Sequence, residues 1–188
     1  MPGPALKIIR MINEDWGKEL SKMQQKVVVK SSKVFNENGN SLSIEWILPA
    51  FNAKRMDFDF ELWKMVKAQT RVQCFEEIHI SSIERIENDF SLKDKKGNIF
   101  TTKLLLAADG ANSFLAKQLI GFRLCRKHHS AAGRAYVEGV TQLEEKVNLL
   151  FLFKKVLPGY FWIFPIGENS ANIGFGMLSA EISMHKSL

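Results

Sequence analysis

Eight residues constrain the fold of this chain more than any others: Pro158-Gly159-Tyr160-Phe161-Trp162-Ile163-Phe164-Pro165. Five large apolar residues in a row, entered through a Pro-Gly turn, read as a β-strand. Side chains alternate across a strand, so Tyr160, Trp162 and Phe164 project from one face and Phe161 and Ile163 from the other. An aromatic face of this kind either packs as core or lines a deep apolar pocket.

The neighbourhood is also β-rich. Gly133–Val140, Val147–Phe153 and Ala171–Met177 read as strands, with turns at Pro158-Gly159 and Gly167–Asn169. Towards the N-terminus, Val27–Phe35 and Ser41–Leu48 form a hairpin around Asn36-Glu37-Asn38-Gly39. Alternation of Leu42, Ile44, Trp46 and Leu48 predicts one buried face there. Helical spacing occupies Pro4–Ile12, where Leu6, Ile9 and Asn13 share a side, and returns from Asp59 to about Thr70, capped by Asp57 or Asp59. Between these regions come short strands at Arg71–Phe75, His79–Glu87, Phe90–Lys93 and Ile99 onward. Leu104–Ala108 is apolar throughout, as in a strand covered on both faces, and Ser113–Leu119 follows as a helix. The expected fold class is α+β: a mixed or antiparallel β-sheet substrate-binding domain joined to a partial FAD-binding α/β portion. A seam near Gly121–Ser130 would separate residues 1–120 from a β-rich 121–188.

Composition sets outer limits. With 188 residues, 46% hydrophobic and 24% charged, the chain can build a real core and is not disordered in character. Its apolar runs fall far short of the ~18 residues that span a bilayer. Met1-Pro2-Gly3-Pro4 does not open a signal peptide. Cys74 and Cys125 lack CxxC spacing and read as reduced thiols of a cytoplasmic protein. His79, His128, His129 and His185 show no ligand spacing with them, so no metal is expected. The net charge of +6 is scattered rather than gathered in a nucleic-acid footprint. Its densest run, Arg123-Leu-Cys-Arg-Lys-His-His129, is either a solvated face or a contact for a cofactor or lipid phosphate.

Three segments, in order, carry chemistry. Arg55-Met-Asp-Phe-Asp59 opens the second helix, and its guanidinium offers a planar fork to phosphate or an ion pair to Asp57 or Asp59. Leu104-Leu-Leu-Ala-Ala-Asp109-Gly110-Ala-Asn-Ser113 carries a carboxylate to the end of an apolar segment, followed by a residue without a side chain. Asp109 there either accepts a ribose hydroxyl or caps the Ser113 helix. The third segment is the aromatic strand with Asn172-Ile-Gly174-Phe-Gly176. Gly174 and Gly176 imitate the start of a dinucleotide fingerprint, but Ser179 stands at the third position, so they read as strand positions of close approach.

The order and spacing of these segments over roughly residues 45–178 resemble the geranylgeranyl reductase family, within the flavoproteins built like para-hydroxybenzoate hydroxylase. The resemblance implies FAD as cofactor, with Arg55, Asp109 and Gly110 near it and NAD(P)H as a candidate electron donor. It implies a pocket at Tyr160, Trp162, Phe164 and Pro165 for a polyprenyl or other large apolar lipid substrate. The reaction implied is hydride transfer from reduced flavin to an isoprenoid double bond; no catalytic residue stands out, and Tyr160 is the one candidate general acid. The family's G-x-G-x-x-G loop and later Gly-Asp segment find no counterpart here, so the chain reads as the middle of such an enzyme. Unaided FAD binding is then not expected, and Leu104–Ala108 would expose an apolar edge that favours a homodimer. A peripheral membrane contact is compatible with the charge; nucleic acid is not an expected partner. The alternatives are a flavin-free module for an apolar ligand or partner protein, and a flavin hydroxylase or halogenase relative.

Overall fold

The computed structural model describes residues 3–182. The Met1-Pro2 start and His185 lie outside the described residues. The chain divides into two units: residues up to Val72 together with those from Arg126 onward, and Gln73–Cys125. The first unit is therefore discontinuous in sequence. Its second boundary falls within the Gly121–Ser130 stretch; the first, at Val72, has no signal in composition.

The larger unit is built on a six-stranded mixed sheet. Its strands are β1 (Val27–Phe35), β2 (Ser41–Asn52), β6 (Ser130–Glu138), β7 (Val147–Phe151), β8 (Tyr160–Gly167) and β9 (Ser170–Leu178), in the order β2-β1-β7-β8-β9-β6. The β1–β7 pair is parallel and the rest antiparallel. The β1–β2 turn forms as expected: Asn36 Oδ1 accepts the N–H groups of Asn38 and Asn40, both at 3.0 Å, and Gly39 takes φ 82°. The buried face expected on β2 is absent. Leu42 is 66% and Leu48 78% exposed, and only Trp46 of that face is half-buried; β2 is an edge strand and its register jumps opposite Val29–Ser31.

Four helices among the described residues belong to this unit, the last a single turn, Ser179–Ile182, directly after β9. Alongside α1 (Gly3–Ile12) runs α2 (Glu14–Ser21), whose N-cap Asn13 accepts from the N–H groups of Asp15 and Trp16. Asn13 thus starts the second helix rather than extending the apolar side of the first. The third, α3 (Arg55–Gln69), begins two residues before Asp57. Its N-cap is Lys54, with no side-chain cap bond, so neither Asp57 nor Asp59 caps it. Leu20, Val29 and Ala171 are fully buried, with Met23, Phe51 and Met65 nearly so; each large side chain among them contributes about 1.5–3 kcal/mol.

The smaller unit holds an antiparallel sheet of β3 (Ile80–Ile86), β4 (Asp89–Asp94) and β5 (Ile99–Thr102), and the helix α4 (Phe114–Ile120). Asp94 closes the β4–β5 turn, accepting from the N–H groups of Lys96 and Asn98 and from the Asn98 amide, each at 2.8 Å. Two strands read from the sequence do not form. Residues 71–75 and 104–108 find no ladder partner among the described residues, and a strand without one leaves its backbone to solvent. Leu104 and Leu106 are 74% and 81% exposed, the apolar edge expected of an uncovered strand sequence.

Candidate functional site

The aromatic residues of β8 face a cavity of about 540 Å³ in the larger unit, within the range of small-molecule sites. Tyr160, Trp162 and Phe164 all line it, with ring centroids 5.8 Å and 6.1 Å apart along the strand. Phe51 and Phe58, from the end of β2 and the first turn of α3, add to the apolar lining. The opposite face of β8 goes to packing: Phe161 meets Phe151, which stacks on Phe35 at 4.9 Å.

The cavity has depth because β9 carries glycine where β8 carries tryptophan. Trp162 pairs directly with Gly174 and Tyr160 with Gly176. A Cβ on Gly174 would stand 2.4 Å from Trp162 Cζ2 and 2.5 Å from the Gly133 carbonyl oxygen. The indole therefore lies over bare backbone, and its Nε1–H donates to Asn172 Oδ1 at 3.3 Å. Gly174 is a strand position of close approach, as its sequence context implied, whereas a Cβ at Gly176 would meet Ala132 Cβ at 3.4 Å, an ordinary contact.

Two buried amides brace the floor. Asn52, at the end of β2, donates through Nδ2 to Asn148 Oδ1 on β7 at 2.7 Å and to the Pro165 carbonyl at 2.9 Å. Asn52 also lines the cavity. Pro165 itself is buried, and it enters the site through this carbonyl. Neither asparagine was picked out from the sequence, although a polar residue inside Val147-Asn148-Leu149-Leu150 signals a buried hydrogen-bond partner.

One rim is polar. Arg55 lines the cavity, and its main-chain N–H donates to the Tyr136 hydroxyl at 2.8 Å. Its guanidinium Nε donates to both Asp59 oxygens at 2.6 Å, so the charge is already paired. Across the rim on β6, Arg134 lines the cavity, donates to the Tyr136 hydroxyl and lies 5.0 Å from that ring's centroid. Arg134 and Tyr136 pair with Gly174 and Asn172. They thus sit two strands from Trp162 and Phe164 in the same rows, a relation that only the sheet order reveals.

Asp109 and Gly110 belong to the smaller unit. Asp109 accepts from the Ser113 hydroxyl and from the Leu115 N–H at 3.1 Å, while Ser113 Oγ caps α4 through the Ala116 N–H at 2.8 Å. The bond from Ser113, then that from Leu115, holds the carboxyl below the usual carboxylate range. The capping geometry weighed for Asp109 is thus present. Backbone N–H groups of Asp109 and Phe114 add to these bonds, so the exposed carboxylate serves the start of α4. Gly110 takes φ 85°, where any side chain would be strained.

Residues 130–187 match the family model described as the geranylgeranyl reductase catalytic domain, which contains the whole β8–β9 aromatic and glycine arrangement. A digeranylgeranylglycerophospholipid reductase of Methanocella arvoryzae is 29% identical over 164 residues, covering 81% of this chain and 41% of that protein. A menaquinone reductase of Mycobacterium tuberculosis is 30% identical over 157 residues, covering 76% and 38%. The chain thus spans about two-fifths of the length of these relatives. Among solved structures, the halogenase PltM in complex with phloroglucinol and FAD superposes with a TM-score of 0.66 over 85% of this chain and 37% of that one; at 16% identity this shows a shared fold. The α+β architecture, the aromatic strand and these matches agree: the chain belongs to the geranylgeranyl reductase family of FAD-dependent oxidoreductases.

Proposed function

We propose that the larger unit is the substrate-binding part of a flavin-dependent reductase that saturates carbon–carbon double bonds of a polyprenyl compound. The observation that carries this reading is the cavity faced by Tyr160, Trp162 and Phe164 and deepened by Gly174. Rigid aromatic walls suit an isoprenoid chain, which has shape and apolar area but few polar groups to recognise. When bound, FAD would supply the hydride for the alkene carbon. Within the larger unit, Arg55 lies at the cavity and is the residue that would face that partner. NAD(P)H is a candidate source of the electrons. Trp162, Phe164 and Phe58 would hold the double bond away from water, and Tyr160 is the phenol of the lining that can give the second carbon its proton.

Binding of geranylgeraniol, followed by quenching of tryptophan fluorescence, tests the pocket. Trp162→Glu is expected to abolish binding while the melting temperature falls by only a few degrees, the tryptophan being partly exposed. Loss of binding and of fold in equal measure would reduce the aromatic face to ordinary core and remove the basis for the proposal.

A further inference from the structure

Helix α3 supplies one wall of the cavity, yet little in its own sequence holds its first turn in place. Ala53, Arg55 and Phe58 line that wall. A helix start leaves its first N–H groups without an intrahelical partner, and a serine, threonine, aspartate or asparagine at the cap satisfies some of them. Here the cap residue is Lys54, which makes no side-chain cap bond. The ion pair of Arg55 with Asp59 runs within the helix and ties it to nothing else. Met56 and Phe60 are 75% and 56% exposed, and the residue of α3 that is buried, Met65, lies towards the other end. That far end also has a bond outside the helix, from Trp16 Nε1 to the Gln69 side chain. At the near end stand the Phe51 ring, 6.3 Å from that of Phe58, and one hydrogen bond.

That bond comes from β6. The Arg55 main-chain N–H donates to the Tyr136 hydroxyl at 2.8 Å, across a sequence separation of 81 residues. Tyr136 belongs to the row of the aromatic wall, since it pairs with Asn172 and Asn172 pairs with Phe164. Two strand spacings, about 10 Å, separate it from Phe164. Its ring is held independently of α3: Arg134 donates to the same hydroxyl, and its guanidinium carbon lies 5.0 Å from the ring centroid. A tyrosine fixed to the sheet therefore satisfies a helix-start donor as a cap residue would. It also does what a local cap cannot, because it sets where the helix start stands relative to the sheet.

We infer that Tyr136 is a positioning residue of the cavity: its hydroxyl holds the first turn of α3 against the sheet and so keeps Arg55 and Phe58 in the lining. The inference rests on the proposed reading of the cavity as a ligand site and adds how one of its walls is set. Tyr136 acts through α3. Without the bond the first turn loses its tie to β6, while Met65 and the Trp16–Gln69 bond still hold the rest of the helix.

Tyr136→Phe tests this, since it removes the acceptor and keeps the ring. The amides of Arg55 and Phe58 are expected to exchange about fivefold to tenfold faster, as for the loss of one hydrogen bond. Geranylgeraniol, followed by tryptophan quenching, should bind at least about fivefold more weakly, while the melting temperature falls by no more than about 4 °C. Lys54→Ser then supplies a cap of the local kind, at a position whose backbone is already extended (φ −61°, ψ 137°). Added to Tyr136→Phe, it should return Phe58 exchange to the wild-type rate yet leave the affinity lowered, because a local cap forms the turn without tying it to β6. Restored affinity in the double variant would overturn the inference, since Tyr136 would then serve helix formation alone. Unchanged exchange or unchanged affinity in Tyr136→Phe would overturn it while leaving the apolar pocket standing. So would an affinity loss accompanied by a fall of about 10 °C or more, which would make the tyrosine part of the general fold. Failure of geranylgeraniol to bind the wild-type chain would bring down the pocket and this inference with it.

Discussion

Replacing Gly174 by alanine should damage this protein far more than the same change at Gly176. The two glycines stand two residues apart on β9 and face the same side of the sheet, so strand propensity and unfolded-state entropy change alike in both. The neighbours differ. A Cβ at 174 would lie 2.4 Å from Trp162 Cζ2, 2.8 Å from Cε2 and 2.5 Å from the Gly133 carbonyl oxygen. Rotation of Trp162 can relieve the ring contacts, but only by leaving the cavity wall and its bond to Asn172. The carbonyl contact is with backbone of the paired strand β6 and can be relieved only by moving that strand. At 176 the nearest atom would be Ala132 Cβ at 3.4 Å, an ordinary contact.

Overpacking of the first kind costs about 1–3 kcal/mol, and the fixed carbonyl puts Gly174→Ala towards the upper end. For a chain of this size each kcal/mol lowers the melting temperature by about 2–4 °C, so a fall of roughly 5–10 °C is expected. All four tryptophans, Trp16, Trp46, Trp63 and Trp162, belong to the larger unit, so tryptophan fluorescence during heating reports that unit alone. Gly176→Ala should shift the same transition by no more than about 2 °C. Geranylgeraniol binding should be lost in Gly174→Ala and kept in Gly176→Ala. If the two variants melt together within error and bind alike, the close approach of indole to backbone does not shape the cavity, and the reasoning from Gly174 to a ligand site fails.

Three further outcomes follow from local bonds. Asn52→Leu strands Asn148 Oδ1 and the Pro165 carbonyl in a buried setting and should cost about 1–3 kcal/mol by urea denaturation; a change below about 0.5 kcal/mol would mean that the amide bridge is dispensable. Asp94 is held below the usual carboxylate range, first by the Asn98 side chain. A depressed folded-state value means that its stabilisation is complete above the unfolded value near ~3.9 and is lost as pH falls through the folded one. Amide exchange at Lys96 and Asn98 should therefore accelerate below about pH 4, and Asp94→Asn should flatten that dependence; an unchanged profile would contradict the role of the carboxylate. Asp109, lowered first by the Ser113 hydroxyl and then by the Leu115 N–H, follows the same sign. Asp109→Ala should fray α4, seen as faster amide exchange at Leu115 and Ala116, and unaltered exchange would argue against the cap.

Local signals carried well where the partner was also local. The β1–β2 turn formed where Asn36 and Gly39 placed it, and β8 and β9 run within one or two residues of their expected ends. The same rule failed where a strand needed a distant neighbour. Leu104–Ala108 has the composition of a covered strand, yet composition cannot supply the ladder that defines one, and the segment stays unpaired and largely exposed. The β2 alternation misled for a related reason: period two shows that Leu42, Ile44 and Leu48 share a side, but burial depends on what lies opposite, and β2 is an edge. At α3, Asp57 and Asp59 looked like caps, but the helix starts earlier at Arg55, which turns Asp59 into an i+4 ion-pair partner.

The candidate site shows the same division more sharply. Its apolar half was legible because Tyr160, Trp162 and Phe164 sit on one strand, where period two alone groups them. Its polar half was not, because Arg134, Asn52, Asn148 and Asn172 come from other strands and join the aromatics only through register. Gly174 is the link between the two halves. As a sequence it imitates a phosphate-binding fingerprint; between Trp162 and Arg134 in the sheet, it is the position where a missing Cβ gives the indole its seat. The same absence of a side chain can serve a pyrophosphate or a tryptophan, and the element that follows decides which. After Gly176 the chain continues as strand to Leu178 before the single-turn helix Ser179–Ile182 begins, so the glycines sit inside a ladder and not in a loop that opens a helix.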